Sequence, residues 1–166
     1  AVTTSGSEIP FPDATFDMVI SDNVLEHLDN PAQVFKEVCR VLKPEGWFMA
    51  KTPNKHHYMP LIARLTPTSF HKCVNRLRGR PSADTYPTLY RVNTKSDVER
   101  FAQSAGLDVE SIGFVEGRPE YLRFSAPTYL LGALYERAVN SLASLAAFRI
   151  VLVVELRKPR RSANLR

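Results

Sequence analysis

Polar side chains that can do chemistry directly follow two apolar runs of the chain. The first set is Ser21, Asp22 and Asn23, after the run at 16–20, and the second is Asn54, His56, His57 and Tyr58, after the run at 47–52. If both runs are parallel strands, their carboxyl ends meet at one edge of the sheet, beyond which open α/β sheets bind ligands. We therefore predict a ligand site there. The alternative for Asp22 and Asn23 is that they make only turn and capping hydrogen bonds.

Three histidines are candidate general bases, since imidazole takes up a proton near neutral pH. His56 and His57 project over the predicted edge, where either can deprotonate a hydroxyl or an amine. His27 follows Glu26, and this pair is the most reactive-looking one in the chain. The alternative for His27 is a role in lining a pocket or ending a helix. Adjacent histidines in an extended loop point in opposite directions, so we predict no metal site at His56 and His57.

The segment between the two sets predicts a strand, a helix and a second strand. Residues 16–20 are nearly all apolar, as in a strand that is covered on both faces. A helix begins at Asn30 and Pro31, which supply a side-chain cap and a proline for the first turn. The sequence Pro-Glu-Gly at 44–46 ends this helix before the strand at 47–52. Parallel strands joined by a helix predict an α/β fold.

Residues 53–93 interrupt this pattern with five prolines and a concentration of positive charge. We predict an inserted cap with short helices at 60–65 and 69–77. Its basic and aromatic side chains suit an anionic or aromatic partner, and a solvated lid surface is the alternative. These side chains are Arg64, Lys72, Arg76, Arg78, Arg80 and Arg91, with Phe70, Tyr86 and Tyr90.

Regular structure returns after the cap. Thr94 or Ser96 caps a helix that Gly106 ends. The later elements are a strand at 107–114, a helical stretch at 121–147 and a last strand at 149–156. We therefore predict one α/β domain at 1–156, followed by a basic tail at 157–166.

Composition limits the classes of function. The chain has 166 residues, of which 44% are hydrophobic, and this suits one globular domain. It has no run of about 18 apolar residues and no secretory leader, so we predict a cytoplasmic protein without a transmembrane segment. We expect no nucleic-acid partner, because no known module or stacking platform is present. The tail at 157–166 is expected to be solvated, and contact with an anionic membrane surface is the alternative.

Four blocks of sequence resemble the second half of class I S-adenosylmethionine-dependent methyltransferases. They stand in the family's order, and the resemblance covers residues 8–53. The blocks read Glu-Ile-Pro-Phe-Pro-Asp at 8–13, Phe-Asp-Met-Val-Ile-Ser at 16–21, Val-Leu-Glu-His-Leu at 24–28 and Glu-Val-Cys-Arg-Val-Leu-Lys-Pro-Glu-Gly at 37–46. The resemblance implies a partial Rossmann-like sheet with strands four to seven of the family, the last one antiparallel, and S-adenosylmethionine as the cofactor.

The family's cofactor loop is missing from this sequence. That loop is rich in glycine and follows the first strand, whereas the chain contains no Gly-x-Gly. The resemblance therefore implies a carboxyl-terminal part of the enzyme. It also places Ser5, Gly6, Ser21, Asp22 and Asn23 on the cofactor side. Family members that bind a metal use Glu-x-x-Glu-His, which here begins with Asn23, so no metal is expected.

Two hypotheses for function follow. The first is S-adenosylmethionine-dependent methyl transfer to a small-molecule acceptor, lipid-like or aromatic, that is enclosed by the cap. In this hypothesis Asn54, Tyr58 and Arg91 contact the acceptor, and His56, His57 or His27 is the base. Positioning supplies much of the effect in methyl transfer, so a base is not strictly required. The second hypothesis is a degenerate, non-catalytic half that acts as a basic binding module.

Overall fold

The computed structural model describes residues 6–60, 88–117, 122–123 and 125–160. The chain forms two compact units. Unit 1 comprises Ala1–Pro53, Leu89–Gly113 and Leu152–Arg166, and unit 2 comprises Asn54–Thr88 and Phe114–Val151. The single domain at 1–156, the cap at 53–93 and the tail at 157–166 stay predictions. The helices predicted within the cap lie almost wholly outside the described residues.

The described strands form one mixed sheet. They are β1 (Phe16–Asp22), β2 (Leu42–Pro53), β3 (Asp108–Val115) and β4 (Val151–Arg157), and their order in the sheet is β1-β2-β4-β3. β1 and β2 are parallel. β4 runs antiparallel to β2, because the Lys158 amide donates to the Gly46 carbonyl at one end and the Asn54 amide donates to the Ile150 carbonyl at the other. The predicted α/β class and the antiparallel last strand are both observed.

Both predicted strand boundaries around the first crossover differ from the structure. β1 continues through Ser21 to Asp22, and β2 begins at Leu42 instead of residue 47. The helix already ends at Val41, so the prediction that the Pro-Glu-Gly segment ends it is wrong. This segment forms an irregular part of β2, with Glu45 in a left-handed conformation (φ +67°) and its amide bonded to the Lys158 carbonyl. Lys158 directly follows β4, and the local sequence around residue 45 does not show this partner.

Both helices of unit 1 begin where local signals place them, and the second also ends there. α1 (Pro31–Val41) is capped by the Asn30 side chain, which accepts a hydrogen bond from the Gln33 amide. α2 (Lys95–Ala105) is capped in the same way by Thr94, and it ends at Gly106, whose φ of +76° favours glycine. The predicted caps at Asn30, Thr94 and Gly106 are confirmed. The sequence can predict them because capping depends on residues that are close together in the chain.

The core of unit 1 lies on one face of the sheet. Phe35 of α1 is fully buried, with its ring 5.6 Å from Phe48 of β2 and 5.8 Å from Phe101 of α2. On β1, by contrast, Met18 is 46% exposed and Ile20 is 71% exposed. The expectation that this strand is covered on both faces is therefore wrong for the chain as given. The uncovered apolar face is the one that a partial sheet predicts.

Unit 2 contains a third helix. α3 (Ala126–Ser141) starts with a capping box between Ser125 and Thr128. A 3-10 helix at Ala143–Phe148 follows it, since Leu142 adopts an extended conformation between the two. The single helical stretch predicted at 121–147 is thus divided into two helices. In the described parts of the chain, no helix combines the length and the apolarity needed to cross a bilayer.

Candidate functional site

The carboxyl ends of β1 and β2 place the first set of predicted site residues together in unit 1. Asp22 is the register partner of Lys51, and its carboxylate lies 2.8 Å from the Lys51 Nζ atom. The Asn23 side chain also donates to this carboxylate, and the Asn23 amide donates to the Lys51 carbonyl. Asn23 itself is left-handed, with φ +53°. The turn hydrogen bonds that were the alternative for Asp22 and Asn23 are therefore present.

Ser21 differs from its two neighbours. Its Oγ atom is buried and has no hydrogen-bond partner among the described residues. An unsatisfied buried hydroxyl is costly, and each one in a native structure calls for an explanation. Among the three residues of the first set, Ser21 is the one whose side chain is left without a partner in the described part of the chain.

A buried polar network lies beside this turn. Glu26, in the 3-10 helix Leu25–His27, is only 5% exposed, and its carboxylate accepts a hydrogen bond of 3.1 Å from the Thr52 hydroxyl. The Asn93 amide group donates to the Thr52 hydroxyl (2.9 Å) and to the Pro53 carbonyl (2.7 Å). The Asn93 Oδ1 atom is buried and unpartnered within the described part of the chain. This network fixes a carboxylate at the carboxyl end of β2.

Sequence reasoning missed two members of this network. The sequence could have indicated Thr52 as a site residue, because it stands at the carboxyl end of a predicted strand, as Ser21 does. Asn93 had no such signal, since it lies 41 residues further along the chain than Thr52.

His27 and Arg91 belong to the same part of unit 1. The His27 Nε2 atom lies 3.9 Å from the Glu26 carboxylate, and the imidazole is 33% exposed. It is therefore accessible and stands beside a fixed carboxylate. Arg91 is bound to Asp29 through both the backbone carbonyl and the carboxylate. Its guanidinium is half-exposed and stays available to an anionic group.

The second set of predicted residues lies in unit 2, and its members differ in environment. Asn54 is buried, and its amide group donates to the carbonyls of Ala147 and Arg149, at 2.7 Å each. Its Oδ1 atom accepts from the His56 amide. All its polar atoms are thus used to hold unit 2 together, which favours a structural role. His56 is exposed.

His57 forms a buried pair with Glu116, a residue that sequence reasoning did not select. The His57 Nε2 atom lies 3.6 Å from the Glu116 carboxylate, and the two side chains are 1% and 4% exposed. Burial lowers the pKa of His57 to about 4 and raises the pKa of Glu116 to about 7. The rings of Tyr58 and Tyr135 pack against His57, at 4.1 and 5.5 Å. This packing favours a structural role for His57, because a general base must reach its substrate.

The remaining predicted residues are Gly6, Ser5 and those of the tail. Gly6 is left-handed (φ +78°) and lies against Val34 in α1. Ser5 and the end of the tail, 161–166, lie outside the described residues. Within the described ranges, no three His, Cys, Asp or Glu side chains are grouped to hold a metal ion.

Comparison with known proteins relates the chain to methyltransferases. The family model described as "Methyltransferase domain" matches residues 1–50. A probable S-adenosylmethionine-dependent methyltransferase of Mycolicibacterium smegmatis is 44% identical over 66 residues, which are 39% of this chain and 25% of the relative. The chain is thus similar to S-adenosylmethionine-dependent methyltransferases. The resemblance inferred from the four sequence blocks is confirmed.

Two further comparisons cover more of the chain. A ubiquinone/menaquinone biosynthesis C-methyltransferase of Laribacter hongkongensis is 32% identical over 116 residues, covering 60% of this chain and 48% of the relative. The crystal structure of a putative methyltransferase from Bacillus halodurans matches 96% of this chain and 77% of its own, with a TM-score of 0.53 and 17% identity. This structural match shows the fold. The chain spans less than half the length of the two curated relatives.

Unit 1 also has a concave surface that is separate from the strand-end site. It has a volume of about 480 Å³ and is lined by Asp13, Ala14 and Pro44 near the starts of β1 and β2, and by Gly106 at the end of α2. It therefore lies at the amino ends of the parallel strands. Ligands of open α/β sheets bind at the opposite ends, so we do not assign the cofactor to this cavity.

Proposed function

We propose that the protein is an S-adenosylmethionine-dependent methyltransferase and that this chain supplies its carboxyl-terminal part. The acceptor we propose is a small molecule of lipid-like or aromatic character. The glycine-rich cofactor loop would come from a segment that precedes residue 1. The observation that carries the proposal is the buried Ser21 hydroxyl at the carboxyl end of β1, which has no hydrogen-bond partner among the described residues.

The residues at this edge fit a cofactor of this kind. Ser21 offers a hydroxyl that lacks a partner among the described residues, and Asp22 offers a carboxylate that is 63% exposed. Both stand where an open sheet binds nucleotide-like ligands. We propose that they hold S-adenosylmethionine together with Asn23, Ser5 and Gly6. When bound, this cofactor supplies an electrophilic methyl group on a sulfonium sulfur.

The base we propose is His27. Its imidazole is partly exposed and stands beside the Glu26 carboxylate, which Thr52 holds in place. A carboxylate next to an imidazole stabilises the charge that forms when the imidazole accepts a proton. The acceptor contacts predicted for Tyr58, Arg91 and Asn54, and the roles of His56 and His57 as bases, stay predictions.

Binding of S-adenosylhomocysteine tests the cofactor part of the proposal. We expect no saturable heat when micromolar ligand is titrated into the chain as given, because half of the site is absent. We expect clear saturation with the longer protein that includes the preceding segment of the reading frame. Saturation with the chain alone would contradict the fragment proposal. Failure of the longer protein to bind would contradict methyl transfer and favour the non-catalytic binding module.

Ser21→Ala in the longer protein tests the observation directly. Loss of one hydrogen bond weakens affinity by a few-fold to about tenfold. The matched control is Ser111→Ala, which changes an exposed serine of β3. We expect the control to bind like the unaltered protein. Equal affinities for all three proteins would remove Ser21 from the cofactor site.

A further inference from the structure

α3 in unit 2 exposes a row of leucines to solvent. Leu130, Leu131 and Leu134 are 60%, 64% and 54% exposed. Leu134 follows the adjacent Leu130 and Leu131 by one helical turn, so the three side chains lie on the same side of the helix. We call them the leucine face. Gly132 and Val139, on another side of α3, are buried. The helix is thus apolar both where it packs and where it meets water, and contiguous exposed apolar surface marks an interaction site.

Basic groups accompany the leucine face. Arg137 follows Leu134 by three residues, so it flanks the same side of the helix. Its side chain is exposed, and it forms no ion pair with any residue that the structure describes. Arg123, just before the helix, is also exposed. Exposed leucines with arginines near them suit contact with a membrane interface.

The charge of the chain is divided unevenly between the units. The residues of unit 2 include 10 Lys or Arg and 4 Asp or Glu, whereas those of unit 1 include 12 and 13. Unit 2 therefore carries all of the net positive charge. Two copies that met through their leucine faces would bring two such units together, and like charges oppose this contact. An anionic surface would attract the same unit.

We propose that the leucine face of α3 docks on an anionic lipid bilayer. The leucines would enter the boundary between headgroups and acyl chains, while Arg137 and Arg123 interact with the headgroups. The helix lies on the bilayer in this proposal and does not cross it. Docking is independent of methyl transfer, since neither the leucine face nor Arg137 belongs to the proposed cofactor site.

Vesicle flotation tests the proposal with the full chain. We expect binding to vesicles of phosphatidylcholine mixed with phosphatidylserine, weaker binding to phosphatidylcholine alone, and weaker binding at high salt. The triple variant Leu130→Ser, Leu131→Ser, Leu134→Ser should lower the partition coefficient by roughly tenfold or more, because it removes most of the apolar surface that enters the bilayer.

A control variant distinguishes docking of the leucine face from nonspecific hydrophobic binding to the vesicles. Met18→Ser with Val109→Ser changes two side chains of unit 1 that are 46% and 41% exposed, and binding should be retained. Circular dichroism checks that each variant is folded. Equal losses in both variants, or no binding by the unaltered chain, would overturn the proposal. So would unchanged vesicle binding by the triple variant.

Light scattering without vesicles tests the alternative that a second copy of the chain covers the leucine face. We expect the triple variant and the unaltered chain to have the same average mass. A lower mass for the triple variant would show that the leucine face is a contact between copies, and it would overturn lipid docking. Vesicle binding requires no S-adenosylmethionine, so failure here leaves the proposed enzymatic function standing.

Discussion

At the scale of single residues, burial decides where one proton lies in unit 2. The Met59 amide donates to the Nδ1 atom of His57, so the neutral imidazole carries its proton on Nε2, toward Glu116. Burial favours the neutral forms of both side chains, which places the proton on Glu116 near neutral pH. The acidic Glu136 favours protonation of Glu116 further, while Arg149 and the Ile150 amide oppose it.

The pair predicts opposite pH dependences for two variants. Between pH 4.5 and 6.5 the unfolded chain protonates His57, and the folded chain protonates Glu116, so their effects on stability cancel. In Glu116→Gln only His57 remains. The unfolded state then binds more protons, so the stability relative to the unaltered chain should rise with pH in this window. In His57→Gln the folded state binds more protons, so the relative stability should fall.

Urea unfolding at several pH values measures these slopes. Each can reach about 1.4 kcal/mol per pH unit, the value for a difference of one bound proton. Taking each variant relative to the unaltered chain cancels the contribution of the other titrating groups. If stability relative to the unaltered chain changed with pH in the same direction in both variants, the proposed opposite protonation of His57 and Glu116 would be wrong.

Residues of the candidate site differ in how far the sequence predicts them. Ser21 and Asp22 follow from one rule, that ligands lie at the carboxyl ends of parallel strands. Glu26 was selected for its type, but its partners Thr52 and Asn93 were not. The pair of His57 with Glu116 was also missed, because the two residues stand far apart in sequence and only the fold brings them together.

At the scale of elements, the irregular start of β2 depends on one glycine. A Cβ atom on Gly46 would lie 2.9 Å from the Lys43 carbonyl oxygen and 3.0 Å from that of Asp17. Both are backbone atoms, which cannot turn aside as a flexible side chain does. The register between β1 and β2 also shifts next to this point, between Phe16 and Met18. The close packing around Gly46 is therefore part of the connection between β1 and β2.

We expect Gly46→Ala to lower the free energy of unfolding by about 1–3 kcal/mol, as overpacking does. Gly113→Ala in β3 is the control, because a Cβ atom there meets nothing within 4 Å. It should change stability by less than about 0.5 kcal/mol. The single tryptophan, Trp47, lies next to Gly46, so its fluorescence in urea follows this region. Equal effects of the two substitutions would show that the space at Gly46 is not limiting.

Elements with local signals were predicted well, and those that depend on distant pairing were not. The caps at Asn30, Thr94 and Gly106 are short-range, and the helices begin and end there. The start of β2 was misplaced because its hydrogen bonds come from Lys158, after the last strand. Helix signals near Leu142 gave no indication of the break between α3 and the 3-10 helix.

At the scale of the whole molecule, β1 is an edge strand of the described sheet. Edge strands pair readily with other chains unless charge or a bulge protects them. Both edge strands carry acidic side chains, Asp17 and Asp22 on β1 and Asp108 and Glu110 on β3, but β1 also exposes the apolar Met18 and Ile20, at 46% and 71%. In the proposed complete enzyme, the preceding segment would pair with β1. No other strand of the described residues pairs with this edge.

We therefore expect the isolated chain to self-associate through β1. Met18→Lys should lower the average mass measured by light scattering, because two copies paired at this edge would bring the new charges together. The control is Val109→Lys in β3, a valine that is 41% exposed, and it should leave the mass unchanged. Addition of the preceding segment of the reading frame should also abolish the association, since its strands would occupy the edge. A monodisperse, cooperatively melting monomer for the unaltered chain would contradict the open edge. Association that persists in Met18→Lys would place the contact elsewhere on the molecule.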